Sequence, residues 1–305
     1  MLTLHQLQVF VTIAEHGSVR RAAEELVVTQ PAVSASLAAL QREVGVDLVM
    51  RSGRGIELTE AGRTFERYAR VLLGTVDEAV KAARFCEREI EAPVRLGAST
   101  ALADHMLMPR LARLREHRPT LQFTVEVGNR SRLWHMLAER SIDVAVCSRP
   151  PTNAHFTSLA SRPNDYVLVA KPGLVWPGKV GEVTWLVREE GSGTRAAADE
   201  VITRLGITPA LMVISSNAAI QRSAEAGLGV ALLPQESVAD QVKHRQLTVV
   251  RTGATPLKKP WHVVVRSDAE PAAGVRQFVE DLVSIGGDFE WHGGAPAFAS
   301  PRTTN

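Results

Sequence analysis

A chain of 305 residues is long enough for two domains, and its 45% hydrophobic and 22% charged residues are typical of a globular protein. No apolar run reaches the ~20 residues that a membrane-spanning helix needs. The first residues, Met1–His5, lack the basic and apolar regions of a signal peptide. We therefore expect a cytoplasmic protein that has no membrane partner.

Charge and cysteine content narrow the classes further. The formal net charge is only +2, and residues 1–63 hold six basic and seven acidic residues, so overall charge does not indicate nucleic-acid binding. Cys86 and Cys147, the two cysteines, are too few for a disulfide framework, and a redox-sensing pair is the alternative. The nine histidines show no metal-ligand spacing, so we predict neither a metal nor a cofactor.

Three short helices are predicted at the N-terminus. Gly17 ends the first, Ser18 caps the second, and Thr29 caps the third, which carries Pro31 in its first turn. Apolar residues at helical spacing predict the buried side of each helix: Leu4, Leu7, Phe10 and Ala14; then Val19, Ala22, Ala23 and Leu26; then Val33, Leu37, Leu40 and Val44. A short hairpin over residues 46–58 follows, so residues 1–58 have the pattern of a helix–turn–helix with a wing.

The exposed side of the third helix is small, uncharged and rich in hydrogen-bonding groups. Gln can pair bidentately with adenine, and Ser can bond a base or a phosphate. The hairpin tip places arginines beside glycines, which suits contact with phosphates or the minor groove. The predicted contacts with double-stranded DNA are Ser18, Arg20, Arg21, Thr29, Gln30, Pro31, Ser34, Ser36, Arg51 and Arg54. A three-helix core with a solvated polar face is the alternative interpretation.

A long helix is predicted next, because no strong helix breaker occurs between Thr59 and Pro93. Its apolar residues recur at steps of four and three, as in a two-stranded coiled coil: Ala61, Phe65, Tyr68, Leu72, Val76, Ala79, Ala83, Cys86 and Ile90. We therefore predict a linker helix over residues 59–90 that pairs with the same helix of a second chain. Packing of this stripe on the chain's own C-terminal domain is the alternative.

From Pro93 onward, short apolar strands alternate with amphipathic helices, which indicates an α/β fold with parallel-rich sheets. The predicted strands are Val94–Leu96, Phe123–Val127, Val144–Cys147, Tyr166–Ala170, Trp185–Val187, Met212–Ile214, Val230–Leu233 and Trp261–Val265. Helices are predicted near 104–117, 131–139, 195–205, 217–226 and 271–285. Residues 291–305 are expected to form a flexible tail.

Several polar loops follow predicted strands or precede predicted helices, where ligands bind in open α/β sheets. Hydroxyls and free backbone N–H groups in such places suit a carboxylate, phosphate or sulfate. The candidate effector-binding residues are Ser99, Thr100, Asn129, Arg149, Ser192, Thr194 and Asn217. The glycine-rich segment 191–195 is not a nucleotide P-loop, because no Lys–Ser or Lys–Thr pair follows it, and a plain capped turn is its alternative.

Over essentially its whole length the chain resembles the LysR-type transcriptional regulators. The resemblance rests on ordered motifs: Leu7-Gln8-Val9-Phe10, Gly17-Ser18, Ala22-Ala23, Thr29-Gln30-Pro31-Ala32-Val33-Ser34, Leu40, Gly45-Val46 and Leu58-Thr59-Glu60-Ala61-Gly62. It implies an N-terminal DNA-binding domain, a dimerising linker helix and a two-lobed domain like the type 2 periplasmic binding proteins. It also places an effector between the lobes, beside Ser99 and Thr100.

The expected fold is thus α/β, with a mainly α-helical winged helix–turn–helix at the N-terminus and a two-lobed C-terminal domain. The expected boundaries are 1–58 for the DNA-binding domain, 59–90 for the linker and 91–290 for the regulatory domain. One lobe would comprise about 91–161 and 267–290, and the other about 162–266. Ala35 and Ser36 stand where many family members have Arg and Gln, which leaves the operator sequence open.

The predicted function is sequence-specific binding to a promoter with an inverted repeat, modulated by a small anionic effector. The predicted assembly is a homodimer or homotetramer. An enzyme is not expected, since the sequence offers no convincing nucleophile with its base, carboxylate pair or metal cluster. A solute-binding protein and an architectural protein that binds DNA without a ligand are the remaining alternatives.

Overall fold

The computed structural model describes residues 1–52, 55–85, 93–152, 155–174, 179–285 and 288–292. The chain divides into two compact units, Met1–Arg88 with Ala138–Ser141, and Glu89–Leu137 with Ile142–Asn305. Within the described ranges, no helix is both long and apolar enough to cross a bilayer.

The first unit begins with three capped helices, α1 (Leu4–His16), α2 (Val19–Leu26) and α3 (Gln30–Val44). The predicted caps are confirmed: the hydroxyls of Ser18 and Thr29 accept backbone hydrogen bonds, and Gly17 ends α1 in the left-handed conformation. Most of the predicted apolar positions form one core. Leu4 was expected in it but is 48% exposed, because it is the first residue of α1 and projects beyond the core.

An antiparallel hairpin, β1 (Val49–Ser52) and β2 (Gly55–Leu58), forms the wing, and the long helix α4 (Glu60–Phe85) follows it. The amide of Ile56 donates to the carbonyl of Gly17 over 2.9 Å, which ties the wing to the turn between α1 and α2. A Cβ at Gly62 would lie 1.9 Å from the carbonyl oxygen of Leu48. Only glycine therefore lets α4 start this close to the wing.

The apolar stripe of α4 divides into two parts. Phe65 packs on Phe10 with ring centroids 5.4 Å apart, and Ala69 is buried in the same core. Four large apolar side chains on this helix are exposed, namely Tyr68, Leu72, Val76 and Val80. The alanines of the predicted stripe, Ala61, Ala79 and Ala83, are exposed as well. Cys86 and Ile90, which the predicted stripe also included, lie outside the described residues.

The second unit contains two mixed sheets. The strands of the first sheet are β3 (Val94–Ser99), β4 (Phe123–Gly128), β5 (Val144–Cys147), β6 (Phe156–Arg162), β13 (Trp261–Arg266) and β14 (Glu290–Trp291). Those of the second sheet are β7 (Asp165–Ala170), β8 (Trp185–Val187), β9 (Leu211–Val213), β10 (Val230–Pro234), β11 (Thr248–Val249) and β12 (Leu257–Lys258). The strand orders are β14-β6-β13-β5-β3-β4 and β11-β7-β10-β8-β9, with β12 also paired to β7.

Parallel pairing is confined to part of each sheet: β3 pairs with β4 and β5, and β8 pairs with β9 and β10. The remaining pairs are antiparallel, so the sheets are less parallel than expected. All eight predicted strands are confirmed. The sequence did not predict β6, β11, β12 and β14, because these are very short or lack an apolar run.

The five predicted helices of this unit are confirmed as well. Helix α5 (Thr100–Leu102) runs through a π-helical turn, Ala103–Leu107, into α6 (Met108–His117). The others are α7 (Arg130–Ala138), α8 (Gly193–Leu205), α9 (Asn217–Ala226), the unpredicted α10 (Ala239–Lys243) and α11 (Ala273–Ser284). One apolar cluster joins residues of both sheets, such as Leu96 and Trp185, so the two lobes share a core.

The chain passes between the lobes twice. It leaves the first sheet after β6, near the expected position 161, and returns between β12 and β13. The two crossings are joined, because Asn164 Nδ2 donates to the carbonyl of Lys259 over 3.0 Å and the Lys259 amide donates to the carbonyl of Asn164 over 2.9 Å. The expected return near 266 is too late, since β13 pairs with β5 and β6 and so belongs to the first lobe.

Candidate functional site

The exposed face of α3 is the first candidate site. Gln30, Pro31 and Ser34 are exposed there, as are Arg20 and Arg21 on α2. The hydroxyls of Ser18 and Thr29 cap the N-termini of α2 and α3, where the helix dipole favours an anionic partner. Arg51 on β1 is also exposed. This face therefore offers neutral hydrogen-bonding groups flanked by arginines.

Two residues of this region depart from the sequence-based expectation. The hydroxyl oxygen of Ser36 is buried, which removes it from the exposed face. Gln41, on the same helix, accepts hydrogen bonds at its Oε1 from the amides of Leu48 and Val49, at 2.8 and 3.2 Å, and so holds the start of the wing. Arg54, predicted at the wing tip, lies outside the described residues.

Glu15, His16 and Glu25 form the one cluster of three potential metal ligands found in the described part of the chain. Their partners are already provided within the protein. Arg70 Nη1 donates to Glu15 over 2.7 Å, and His16 Nε2 contacts the carboxylate of Glu25. These contacts account for the cluster, and we assign it no metal.

The second candidate site is a cavity in the second unit, called the cleft cavity below. Both lobes line it, and its volume is about 20 Å³. It brings together six of the seven predicted effector-binding residues: Ser99, Thr100, Asn129, Ser192, Thr194 and Asn217. Arg149, the seventh, is exposed and is not among the described residues that line the cavity. The segment after β5, which carries Arg149, contributes Ser148 instead.

The predicted set did not include five charged, hydroxyl-bearing or aromatic side chains that line the cavity: Arg130, Ser148, Tyr166, Arg188 and Trp261. Ser148 directly follows β5 and Arg188 directly follows β8. The rule that ligands bind beyond the carboxyl ends of strands therefore pointed to both positions. Tyr166 and Trp261 lie within or at the start of strands, where their bulk predicted a core role only.

Arg188 is the buried cation of the cleft cavity, with 3% of its surface exposed. Its Nε and Nη2 donate to Glu189 over 2.8 and 3.0 Å. Burial would raise the pKa of Glu189, but the hydrogen bonds from Arg188 outweigh it, and that pKa lies below its ordinary value. Glu189 is therefore ionised at neutral pH and fixes the guanidinium in one orientation.

Tyr166 supplies a neutral hydroxyl to the same cavity. Burial raises its pKa to about 12, although a hydrogen bond with Thr194 and the charges of Arg188 and Arg130 act in the opposite direction. The phenol therefore keeps its proton at neutral pH and remains a hydrogen-bond donor.

Several polar atoms at the cleft cavity are buried without a hydrogen-bond partner in the described structure. They are Ser99 Oγ, Ser148 Oγ and both Oδ1 and Nδ2 of Asn217. In addition, Ser192 is the N-cap residue of α8, but its side chain caps none of the first amides of the helix. Unpaired buried polar groups are costly, so their convergence on one cavity indicates a binding site.

The lobes are hydrogen-bonded to each other at the edge of this cavity. Asn129 Nδ2 donates to Glu189 Oε1 over 3.3 Å, and the amide of Ser131 donates to the carbonyl of Gly191 over 3.1 Å. We call these two bonds the lobe latch. Because Glu189 also holds Arg188, the latch is connected directly to the buried cation.

Cys147 does not support the redox alternative. It is fully buried at the end of β5, and burial raises the pKa of its thiol. The neutral thiol is a poor nucleophile, so this residue is suited to packing. Cys86 lies outside the described residues.

A winged helix–turn–helix unit together with a two-lobed unit that holds a polar cleft defines a DNA-binding regulator with a ligand-binding domain. Residues 4–63 match the family model "Bacterial regulatory helix-turn-helix protein, lysR family", and residues 87–284 match "LysR substrate binding domain". The chain belongs to the LysR family of transcriptional regulators and is not an enzyme. The predicted family and fold class are confirmed.

Individual relatives agree with this assignment. The chain is 32% identical over 270 residues to the HTH-type transcriptional regulator CfxR of Cupriavidus necator, covering 86% of this chain and 85% of CfxR. Among solved structures, the LysR family regulator CbnR has a TM-score of 0.67 at 21% identity, covering 92% of this chain and 97% of CbnR. The regulatory domain of Synechocystis PCC6803 CcmR, in complex with 2-PG, has a TM-score of 0.58 at 20% identity. The likeness covers 63% of this chain and 96% of the CcmR chain.

Proposed function

We propose that this LysR-type regulator binds promoter DNA with an inverted repeat, and that a small anion in the cleft cavity modulates the binding. Gln30, Pro31 and Ser34 of α3 would contact bases, with Thr29 at its N-terminus beside a phosphate. The DNA backbone would be contacted by Ser18, Arg20 and Arg21, at the start of α2, and by Arg51 and Arg54 of the wing. A chromosomal partner implies action in the cytoplasm. The exposed hydrogen-bonding face of α3 is the observation that carries this part of the proposal.

The same proposal includes self-association through α4. The exposed residues Tyr68, Leu72, Val76 and Val80 leave an apolar stripe on this helix. A second copy of the helix would cover the stripe and would set two recognition helices against two half-sites. The assembly is a homodimer, or a homotetramer built from two such pairs.

The effector is proposed to bind in the cleft cavity. Ser99, Thr100, Asn129, Ser192, Thr194 and Asn217 line it, and Arg188 supplies a buried positive charge. Arg149 lies outside the lining and is not proposed as a direct contact. The complex of CcmR with 2-PG supports a small ligand at this kind of domain. Binding there would change the angle between the lobes and so the operator affinity, and the coupling would be reciprocal.

A gel-shift titration with duplexes from the protein's own upstream region tests the DNA part. We expect Gln30→Ala and Ser34→Ala each to weaken operator binding roughly tenfold, because each removes a base contact worth about 1–3 kcal/mol. Gln8→Ala, which changes an exposed glutamine on α1, is the matched control and should bind as the parent does. Affinity should also fall steeply with salt. Unchanged affinity in both α3 variants would refute the assignment of α3 to the major groove.

A further inference from the structure

Asn217 places an unusual demand on any molecule in the cleft cavity. It is the first residue of α9, lines the cavity and is only 4% exposed. Neither Oδ1 nor Nδ2 has a hydrogen-bond partner among the described residues. An amide oxygen only accepts and an amide nitrogen only donates, so exchanging the two atoms leaves the same requirement. A ligand that pairs both atoms of Asn217 directly must therefore supply a hydrogen-bond donor as well as an acceptor.

Arg188 places a second demand on the same ligand. Glu189 engages its Nε and Nη2, which leaves the N–H groups of Nη1 to a ligand. A guanidinium only donates, and its charge favours an ionised acid group. The unpartnered hydroxyls of Ser99 and Ser148 can donate or accept and so satisfy either kind of ligand atom. Arg188 thus selects the acid, and Asn217 selects a second group on the same molecule.

The size of the cavity limits how far apart these two groups can be. At about 20 Å³ the cavity has room for little more than one water, so the lobes must part to admit a ligand. A compact ligand, with the acid and the donor on neighbouring atoms, requires the least opening. An acid such as acetate brings acceptors only. It would leave one polar atom of Asn217 buried and unpaired, which carries the full cost of removing that atom from water.

We propose that the effector is a small hydroxy acid, whose acid group binds Arg188 and whose hydroxyl donates to Asn217. Asn217 is then the specificity-determining residue that rejects acids without a donor. This inference rests on the proposed function, because it assumes that the cleft cavity is the effector site. It adds the chemical class of the effector and the residue that reads it.

Calorimetric titration of the full-length protein with matched acids tests the inference. The pairs are glycolate with acetate, and lactate with propionate, which differ only by the hydroxyl group. We expect the hydroxy acid of at least one pair to bind roughly tenfold or more tightly than its partner, because a site built around a hydroxyl group discriminates strongly against the analogue that lacks it. This comparison uses the unmodified protein, so it stands even where a variant fails to fold.

Two variants then separate the roles of the two residues. Asn217→Leu, similar in size but apolar, should remove the preference for the hydroxy acid while a residual affinity for both acids remains. Arg188→Met should abolish binding of both. Arg204→Met is the matched control, since Arg204 is an exposed arginine on α8 paired with Glu200, and it should titrate as the parent does.

The outcomes distinguish a failure of this inference from a failure of the proposed function on which it rests. Equal binding within both pairs, still lost in Arg188→Met, would overturn the hydroxy-acid inference and leave the cleft as the anion site. A preference that persists in Asn217→Leu would overturn the role of Asn217. Failure of all four acids to bind would overturn the hydroxy-acid class, while the gel-shift titration would still decide the DNA-binding part.

Discussion

At the scale of single residues, His262 shows how burial controls a charge in this protein. It lies on β13 with 2% of its surface exposed, its Nδ1 is paired with the hydroxyl of Ser158 at 2.9 Å, and its ring centroid lies 5.3 Å from that of His292. Burial, with the nearby charges of His292 and Arg149, lowers its pKa to about 4. The folded protein therefore holds this imidazole neutral under conditions that protonate it in the unfolded chain.

This depressed pKa predicts a loss of stability in mild acid. In the unfolded chain this imidazole binds a proton at an ordinary pKa of about 6.5. The contribution of His262 to the free energy of unfolding is therefore fully present above that pH and is lost as the pH drops toward 4. We expect a loss of about 2 kcal/mol between pH 7.5 and pH 5 from this residue. His262→Gln should reduce that loss in urea unfolding. His244 is exposed, so His244→Gln is the control and should leave that loss unchanged. An unfolding free energy that depends on pH equally in the parent and in His262→Gln would contradict the role given to His262.

At the scale of secondary-structure elements, the lobe latch joins the N-terminus of α7 to the loop before α8. Gly191 has a φ of +82°, and a Cβ there would lie 2.9 Å from the Oγ and 3.2 Å from the Cβ of Ser131. Gly206, at the end of α8, has a φ of +64° but nothing within 4 Å of its Cβ position. The two glycines share the same backbone requirement, and only Gly191 has a neighbour across the cleft.

This difference makes Gly206→Ala a matched control for Gly191→Ala. Both should cost about 1–2 kcal/mol of stability, because alanine is unfavourable at a positive φ. Gly191→Ala should lower the free energy of unfolding further, because its added Cβ would lie 2.9 Å from Ser131 Oγ. It should also speed hydrogen exchange of the Ser131 amide, which donates to the Gly191 carbonyl. Equal unfolding free energies and equal exchange rates in the two variants would show that the latch contributes nothing.

At the scale of the whole molecule, the apolar stripe of α4 is the feature that calls for a second chain. Leu72 is 50% exposed in the middle of the helix, in line with Tyr68 and Val76. Leu228, in the turn after α9, is 54% exposed but does not belong to that stripe. Scattered exposed leucines are ordinary, whereas a stripe at coiled-coil spacing is typical of an interface.

We therefore expect Leu72→Glu to shift the protein toward monomers in sedimentation-velocity experiments, because an unpaired charge in a helix pair opposes association. The operator affinity should fall with it, since a monomer occupies only one half-site. Leu228→Glu makes the same chemical change elsewhere and should leave the mass unchanged. A Leu72→Glu protein that keeps the parent mass would rule out α4 as the interface.

Local sequence signals sufficed for most elements of the fold. The caps at Ser18 and Thr29 and the stops at Gly17 and Gly45 act between residues close in sequence, so the helices of the first unit could be predicted. The eight apolar strands were predicted for the same reason. Strand β6, which lacks an apolar run, and the early return of the chain at β13 could not be predicted, because their place depends on the strands they pair with.

The same distinction, between local signals and the packing of distant segments, applies to the candidate sites. The sequence by itself determined the family, the order of the elements and the polar loops after the strands, because these depend on spacing along the chain. Only the tertiary structure decided that Arg188 and Asn217 face one cavity, that Arg149 does not, and that the hydroxyl of Ser36 is buried. Those facts depend on how distant segments pack, and burial, unlike spacing, is a property of the folded chain.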